Sequence, residues 1–262
     1  MKIHFNKYQS TGNDFVVLDN RNGEYNGLTE KQVNFLCDRR FGIGADGLMM
    51  LNNHPSYDFE MIYYNSDGRL GSMCGNGGRS LVQFANDLGI KKSLYRFIAS
   101  DGEHEAEIDE NDGIVSLKMQ DVNNVDEERG DYILNTGSPH FVRIVNELNG
   151  LDVFEEGREI RYNDTYKKDG INVNFVSLKG DYEIDVRTYE RGVEDETYSC
   201  GTGVTASALV CFHNENGFNN VNVHTKGGDL TVEYDRIDED RYTNIWLCGP
   251  AKKVFEGEVI LP

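Results

Sequence analysis

Apolar positions along this chain recur in two rhythms, one of strands and one of helices, and the same order of rhythms runs through it twice. Polar and apolar residues alternate from Ile3 to Tyr8, and the run Phe15-Val16-Val17-Leu18 follows Ser10-Thr11-Gly12-Asn13-Asp14, which predicts two strands joined by a turn. Thr29 with Gln32 forms a capping box, and Val33, Leu36 and Cys37 then recur at helical spacing, so a helix is predicted over 29–40 with Cys37 in the core. Strand-like runs follow at Leu48–Leu51 and Phe59–Tyr64, and Asn65-Ser66-Asp67-Gly68 reads as a turn. Cys74-Gly75-Asn76-Gly77-Gly78 opens a second helix with Leu81, Phe84, Ala85 and Leu88 as its apolar positions. The later part repeats the plan. It has a strand over Glu183–Tyr189, a turn at Glu190-Arg191-Gly192, and Cys200-Gly201-Thr202-Gly203 opening a helix with Val204, Ala208, Cys211 and Phe212. A hairpin follows each of these helices, over Arg96–Ile108 and Val221–Tyr234, with Asp101-Gly102 and Gly227-Gly228 at the turns.

The repetition extends to individual residues. Thr11-Gly12-Asn13-Asp14-Phe15-Val16-Val17 returns as Thr136-Gly137-Ser138-Pro139-His140-Phe141-Val142, offset by 125 residues. Gly42-Ile43-Gly44-Ala45-Asp46 returns as Gly170-Ile171-Asn172-Val173-Asn174, offset by 128, and Cys74-Gly75-Asn76-Gly77 as Cys200-Gly201-Thr202-Gly203, offset by 126. Near-constant offsets over most of the chain are the mark of an internal duplication. The predicted fold is α+β. Two pseudo-symmetric domains, 1–122 and 123–249, each curl a mostly antiparallel, mixed sheet around one central helix. Asp121–Asp131 is the expected link, and an alternating strand over Val254–Leu261, within about 250–262, is expected to return to the first domain.

Composition narrows the function. The chain has 262 residues and a formal charge of −19, which repels polyanions and argues against nucleic acid or an anionic membrane as a partner. Met1–Lys7 lacks the apolar core of a signal peptide, and no apolar run approaches the roughly 20 residues of a membrane helix, so a cytoplasmic protein is expected. Its five cysteines are an odd number at scattered spacings, unlike a secreted disulfide framework. Gly42-Ile43-Gly44-Ala45-Asp46-Gly47 has the spacing of a dinucleotide loop, but it follows a helix and precedes a strand, the reverse of what that loop requires.

The chemistry gathers at the two Cys-Gly-Xaa-Gly turns. A cysteine just before a helix start meets unpaired backbone N–H groups and the positive end of the dipole, both of which favour the thiolate. The N–H groups that follow can hold a substrate carboxylate and stabilise charge developing on its α-carbon. A single such turn is commonly only a tight turn; its recurrence in both halves points to paired thiols on opposite faces of one carbon. One would remove a proton and the other return one, inverting the stereocentre. Zinc would require paired ligands that neither cysteine has nearby, so no metal is expected.

The segments Thr11-Gly12-Asn13-Asp14-Phe15, Phe41-Gly42-Ile43-Gly44-Ala45-Asp46-Gly47, Met73-Cys74-Gly75-Asn76-Gly77-Gly78-Arg79, Tyr189-Glu190-Arg191-Gly192-Val193 and Glu196-Thr197-Tyr198-Ser199-Cys200-Gly201-Thr202-Gly203 closely resemble the diaminopimelate epimerase family. The resemblance covers essentially the whole chain in order and spacing. It implies interconversion of LL- and meso-diaminopimelate, on the path to lysine and peptidoglycan, with neither pyridoxal phosphate nor metal as cofactor. It makes Cys74 and Cys200 the acid/base thiols, with His140 and Glu190 supporting them. Gly75, Asn76, Gly201 and Thr202 become the carboxylate cradle. Asn13, Asn65, Asn172, Glu190 and Arg191 become the groups that recognise the substrate's ammonium and carboxylate ends. Family precedent also allows a homodimer. Two departures stand out: Ser138 replaces the usual asparagine before Pro139-His140, and Gly47 stands where many members have glutamine. A proline-type racemase of the same fold would carry Cys-Gly-His near the first cysteine and aspartate immediately upstream of the second, whereas this chain has Asn76 and the Glu190-Arg191 pair. A thiol redox switch is the alternative outside catalysis, and it would not need Glu190 or Arg191.

Overall fold

The computed structural model describes residues 1–212 and 216–261. The chain divides into two compact units, residues 1–117 with 250–262, and residues 118–249.

In the first unit β1 (Lys2–Ser10), β2 (Asn13–Asp19), α1 (Glu30–Cys37), β3 (Gly47–Asn52), β4 (Phe59–Asn65), α2 (Gly75–Asp87), β5 (Leu94–Ala99), β6 (Gly102–Asp109) and β7 (Ile114–Lys118) follow in order. β1 and β2 pair antiparallel, β2 and β3 parallel, β3 and β4 antiparallel, β4 and β5 parallel, and β5–β6–β7 form an antiparallel meander. Ser10 pairs with Asn13, so Thr11-Gly12 is a two-residue hairpin loop with φ of 45° and 83°. Two left-handed residues in succession match the twist of the flanking strands. The threonine is an unusual occupant of that region, and it is fully buried against α2.

The second unit contains β8 (Val125–Glu128), β9 (Asp131–Asn135), β10 (Pro139–Ile144), α3 (Val153–Arg161), β11 (Asn172–Gly180), β12 (Glu183–Glu190), β13 (Asp195–Thr197), α4 (Gly201–Cys211), β14 (Gly217–Thr225), β15 (Gly228–Arg236) and β16 (Tyr242–Pro250). The pairing senses repeat those of the first unit: β9/β10 antiparallel, β10/β11 parallel, β11/β12 antiparallel, β12/β14 parallel, β14/β15 and β15/β16 antiparallel. β13 is an added antiparallel flap on the end of β12. The outer neighbour of β9 is β8. The corresponding place beside β1 is filled by β17 (Lys252–Ile260), antiparallel with Phe5 opposite Gly257.

Strand register resolves the offsets of the repeat. Asn135 pairs with Pro139, a three-residue loop where the first unit has two, so the offset rises from 125 before the loop to 126 after it. Phe15 lies opposite Gly47 and Phe141 opposite Val173, which aligns Asp46 with Asn172 at 126 rather than at the 128 suggested by the glycines.

A helix sits at the heart of each unit. All of α2 except Gln83 and Asp87 is buried, as is all of α4 except Thr202 and Cys211. Helices covered on every side need small residues for close approach and satisfied hydroxyls. Gly77 and Gly78 serve the first need in α2. In α4 Thr205 and Ser207 donate to the carbonyls of Gly201 and Gly203 at 3.0 and 2.8 Å.

Helix α1 has the expected capping box, with Cys37 buried at its end, and is shorter than predicted. Asp38 turns extended, and its carboxylate accepts from the N–H groups of Arg40 and Phe41. The loop that follows lies on the helix end, where Ile43 and Gly44 donate to the carbonyl of Leu36 and Ala45 to that of Cys37. A Cβ on Gly42 would stand 1.8 Å from the carbonyl oxygen of Phe35, so the glycine spacing of this loop serves helix capping, not a nucleotide. The segment expected as a bare link contains β8, and α3 was not foreseen.

Candidate active site

In the first unit Asn13, Cys74, Gly75 and Asn76 meet at the start of α2. Cys74 is its N-cap residue, with an extended backbone (φ −100°, ψ 130°) and a half-buried side chain. Its sulfur donates to Asn13 Oδ1 across 3.6 Å, and Asn13 Nδ2 donates to Asp46 Oδ2 at 2.7 Å. Asp46 is held by Arg39 at 2.7 Å, and the same guanidinium grips Asp14. Asp14 also meets the buried Lys7 at 2.6 Å. Burial opposes ionisation of Asp14, but hydrogen bonds from Arg39 and Lys7 outweigh it and hold its pKa down to about 2. Asn76 is buried in the first turn of α2, its side-chain oxygen accepting from Arg79 Nη2 at 2.7 Å and from Thr11 Oγ1 at 3.5 Å. Asn65 ends β4 and is exposed. It is near Gly71, where a Cβ would stand 3.1 Å from the Asn65 amide nitrogen.

The absence of a side chain at Gly47 has a local cause. A Cβ there would lie 2.5 Å from the ring of Tyr63 and 2.7 Å from the carbonyl oxygen of Tyr64. The tyrosine ring therefore occupies the space beside this position.

In the second unit Cys200 is the buried N-cap of α4, again extended (φ −112°, ψ 108°). Its sulfur is 3.6 Å from Thr202 Oγ1, and Thr136 Oγ1 donates to the Thr202 carbonyl at 2.8 Å. Asn172 ties three segments together: its Nδ2 donates to Ser138 Oγ at 2.9 Å and to the Pro139 carbonyl at 3.1 Å, and its Oδ1 accepts from the Arg191 N–H at 2.9 Å. The Arg191 guanidinium reaches the Asp169 carbonyl and Ser138 Oγ at 3.1 and 3.4 Å. Ser138 thus accepts from two donors. Glu190 ends β12 immediately before Arg191, where the Glu194 N–H donates to its carbonyl at 2.8 Å.

His140 is completely buried, with Nδ1 facing the amide of Asn174 at 3.2 Å. That amide also donates to the Phe141 carbonyl, and Thr188 donates to its oxygen. Burial first, and then the positive charge of Arg191, push the His140 pKa down to about 3, so the ring is neutral near pH 7. Gly75 and Gly201 begin the two helices, each directly after its cysteine, where backbone N–H groups lack intrahelical acceptors. All five cysteines are free thiols.

The structure therefore gathers Asn13, Cys74, Gly75 and Asn76 in one unit, and gathers His140, Asn172, Arg191, Cys200, Gly201 and Thr202 around α4 in the other. The sequence reading missed the groups behind them. Asp46 lay unremarked inside the glycine loop, Asn174 and Thr136 inside the repeat, and Arg79 inside the first cysteine motif. For Asn174 in β11 and Arg79 in α2 the available signal was a polar residue inside a buried strand or helix; Asp46 and Thr136 lie in loops, where polar residues are ordinary and gave no signal.

The fold of this duplicated architecture is shared with several solved structures. The structure is similar to a phenazine biosynthesis protein of the PhzF family from Bacillus anthracis, with a TM-score of 0.77 and 16% identity over all of both chains. It is also similar to a hydroxyproline epimerase from Agrobacterium vitis, with a TM-score of 0.71 and 13% identity over 99% of this chain and 93% of that one. At these identities the likeness is one of fold. The family model for diaminopimelate epimerase matches twice, over residues 5–125 and 132–254. The diaminopimelate epimerase of Flavobacterium psychrophilum is 49% identical over 99% of this chain and all of its own length. That of Chlorobaculum tepidum is 42% identical over 95% and 98%. The chain belongs to the diaminopimelate epimerase family.

Proposed function

We propose that this protein is an isomerase that interconverts LL- and meso-diaminopimelate, with Cys74 and Cys200 as its acid/base pair. The observation that carries the reading is the recurrence of an N-capping cysteine at the same place in both units of a chain from this family. In one direction a thiolate takes the α-hydrogen as a proton. The C–H bond breaks, an S–H bond forms, and the electron pair remains on the α-carbon. The other thiol delivers its proton to the opposite face, and the thiolate character passes from one sulfur to the other. Each half-reaction is general acid–base catalysis by a positioned group. Carbanion charge spreads into the α-carboxylate, which backbone N–H groups at a helix start can stabilise. Asn76 and Thr202 shape these two helix starts, and Arg191 offers a planar fork for a second carboxylate.

Proton NMR of LL- and meso-diaminopimelate incubated with the protein in deuterium oxide tests this. The wild type should convert either isomer to the mixture with loss of the α-proton signal, and Cys74→Ala and Cys200→Ala should each abolish interconversion. Interconversion that survives either substitution would overturn the two-thiol reading, and no exchange by the wild type would overturn the substrate.

A further inference from the structure

Asp46 controls which end of an amide faces the sulfur of Cys74. A primary amide has one donor end and one acceptor end. The Asp46 carboxylate, ion-paired with Arg39, accepts only, so it claims the NH2 end of Asn13 and turns the oxygen toward Cys74. An amide oxygen in that place receives the S–H of a thiol and repels the charge of a thiolate.

The second unit is built differently at the equivalent positions. Asn172 stands where the first unit has Asp46, and its amide is engaged with Ser138, Pro139 and Arg191. Cys200 instead faces the hydroxyl of Thr202, which can accept from a thiol or, by rotating, donate to a thiolate. The sense of the hydrogen bond is fixed at one cysteine and adjustable at the other.

We propose that Asp46 is a positioning residue which, by orienting the Asn13 amide, keeps Cys74 protonated in the substrate-free protein and leaves Cys200 as the thiol that ionises first. This deepens the reading above, in which the two cysteines form the acid/base pair. It makes the resting state unsymmetrical even though the fold is duplicated.

The test is the pH dependence of iodoacetamide alkylation at Cys74 and Cys200 in the whole protein, resolved by peptide mass spectrometry, without substrate. In Asp46→Asn the acceptor-only group is gone and the Asn13 amide can turn its NH2 toward sulfur. The Cys74 midpoint should fall by about one pH unit, the scale of one hydrogen bond to a charged group. Because a more acidic thiolate is a weaker nucleophile, the rate below the midpoint should rise only about threefold. Arg39→Gln keeps the Asp46–Asn13 hydrogen bond and removes a nearby cation, so it should hold the midpoint or raise it and must not lower it, and Asp46→Glu should leave it in place. An unmoved midpoint in Asp46→Asn, or an equal shift in Arg39→Gln, overturns the proposal. Should Asp46→Asn not fold, Asn13→Ala removes the same oxygen and must lower the midpoint likewise; no shift there overturns it too. Alkylation does not involve turnover, so this result is independent of which amino acid the enzyme accepts.

Discussion

Gly77 and Gly203 occupy the same third position in the two central helices, yet replacing them by alanine should have opposite weight. A Cβ on Gly203 would stand 2.3 Å from Asn174 Oδ1 and 3.3 Å from its Cγ. Asn174 cannot swing aside cheaply. It is fully buried, and its amide is engaged with Thr188 at 2.9 Å, Phe141 at 3.0 Å and His140 at 3.2 Å. Overpacking costs about 1–3 kcal/mol, and a buried hydrogen bond lost in the adjustment costs about 1–3 kcal/mol more. The helix regains up to about 1 kcal/mol from losing a glycine, which at the middle of these ranges leaves a net loss of about 3 kcal/mol. On Gly77 the same Cβ meets Met49 Sδ at 3.1 Å and nothing else closer than 3.5 Å. A thioether at the end of a flexible side chain yields readily, so the result should lie within about 1 kcal/mol of wild type. Differential scanning calorimetry reads this directly. Gly203→Ala should lower the melting temperature by about 5–15 °C and Gly77→Ala should shift it by no more than about 3 °C, using roughly 2–4 °C per kcal/mol. In an Asn174→Ala background the penalty of Gly203→Ala should largely vanish, because the colliding atoms are gone. Equal melting shifts for the two glycine variants would refute the reasoning.

Two pH dependences follow from buried and bridged histidines. His140 has its folded pKa far below the ordinary 6.5, so the unfolded chain binds its proton first and the stability it confers is present above about pH 6.5 and lost as pH falls toward 3. Denaturant midpoints measured from pH 7 to 4 should fall less steeply in His140→Gln than in the wild type, and parallel curves would count against a neutral buried ring. His224 has the opposite sign: hydrogen bonds to Asp229 and then Glu183, at 2.7 and 2.8 Å, raise its pKa above 6.5. Its stabilisation is complete below the unfolded value and disappears as pH rises through the folded one. His224→Gln should therefore be less stable than the wild type in mildly acid solution and equal to it in alkaline solution; a pH-independent difference would show that the bridge acts by packing alone.

Much of this molecule was legible because its signals are local and repeated. The capping box at Thr29 and Gln32, the two hairpins, whose loops Ser100-Asp101 and Lys226-Gly227 fall one residue before the expected turns, and the two cysteine-led helices are each set by a few neighbouring residues, and the duplication let each half check the other. What escaped depends on contacts across the sheet. The one-residue difference between the Thr11-Gly12 and Thr136-Gly137-Ser138 loops is invisible until the strand partners are known, and it shifts which residue stands where Asp46 stands. Helix α3 carried a usable cue, Asp152 capping the N–H of Glu155 with Val153, Gly157 and Ile160 on one face, but its charged residues mask the apolar stripe. The Asp46–Asn13–Cys74 chain joins residues far apart in sequence. No window of residues could have shown that an aspartate in a glycine loop decides the orientation of an amide beside a thiol.

The place of β17 beside β1 has a consequence for synthesis on the ribosome. The second unit owns all its strands in one uninterrupted stretch, 118–249, and can close its sheet as soon as that stretch has emerged. The first unit begins the chain, yet the outer edge of β1 stays open until Lys252–Ile260 arrives, after the whole of the second unit has been made. Throughout that interval a nascent chain presents an unpaired strand edge, the kind of surface that other chains add to. The half that is translated first thus waits for its last strand until the end of the chain is made.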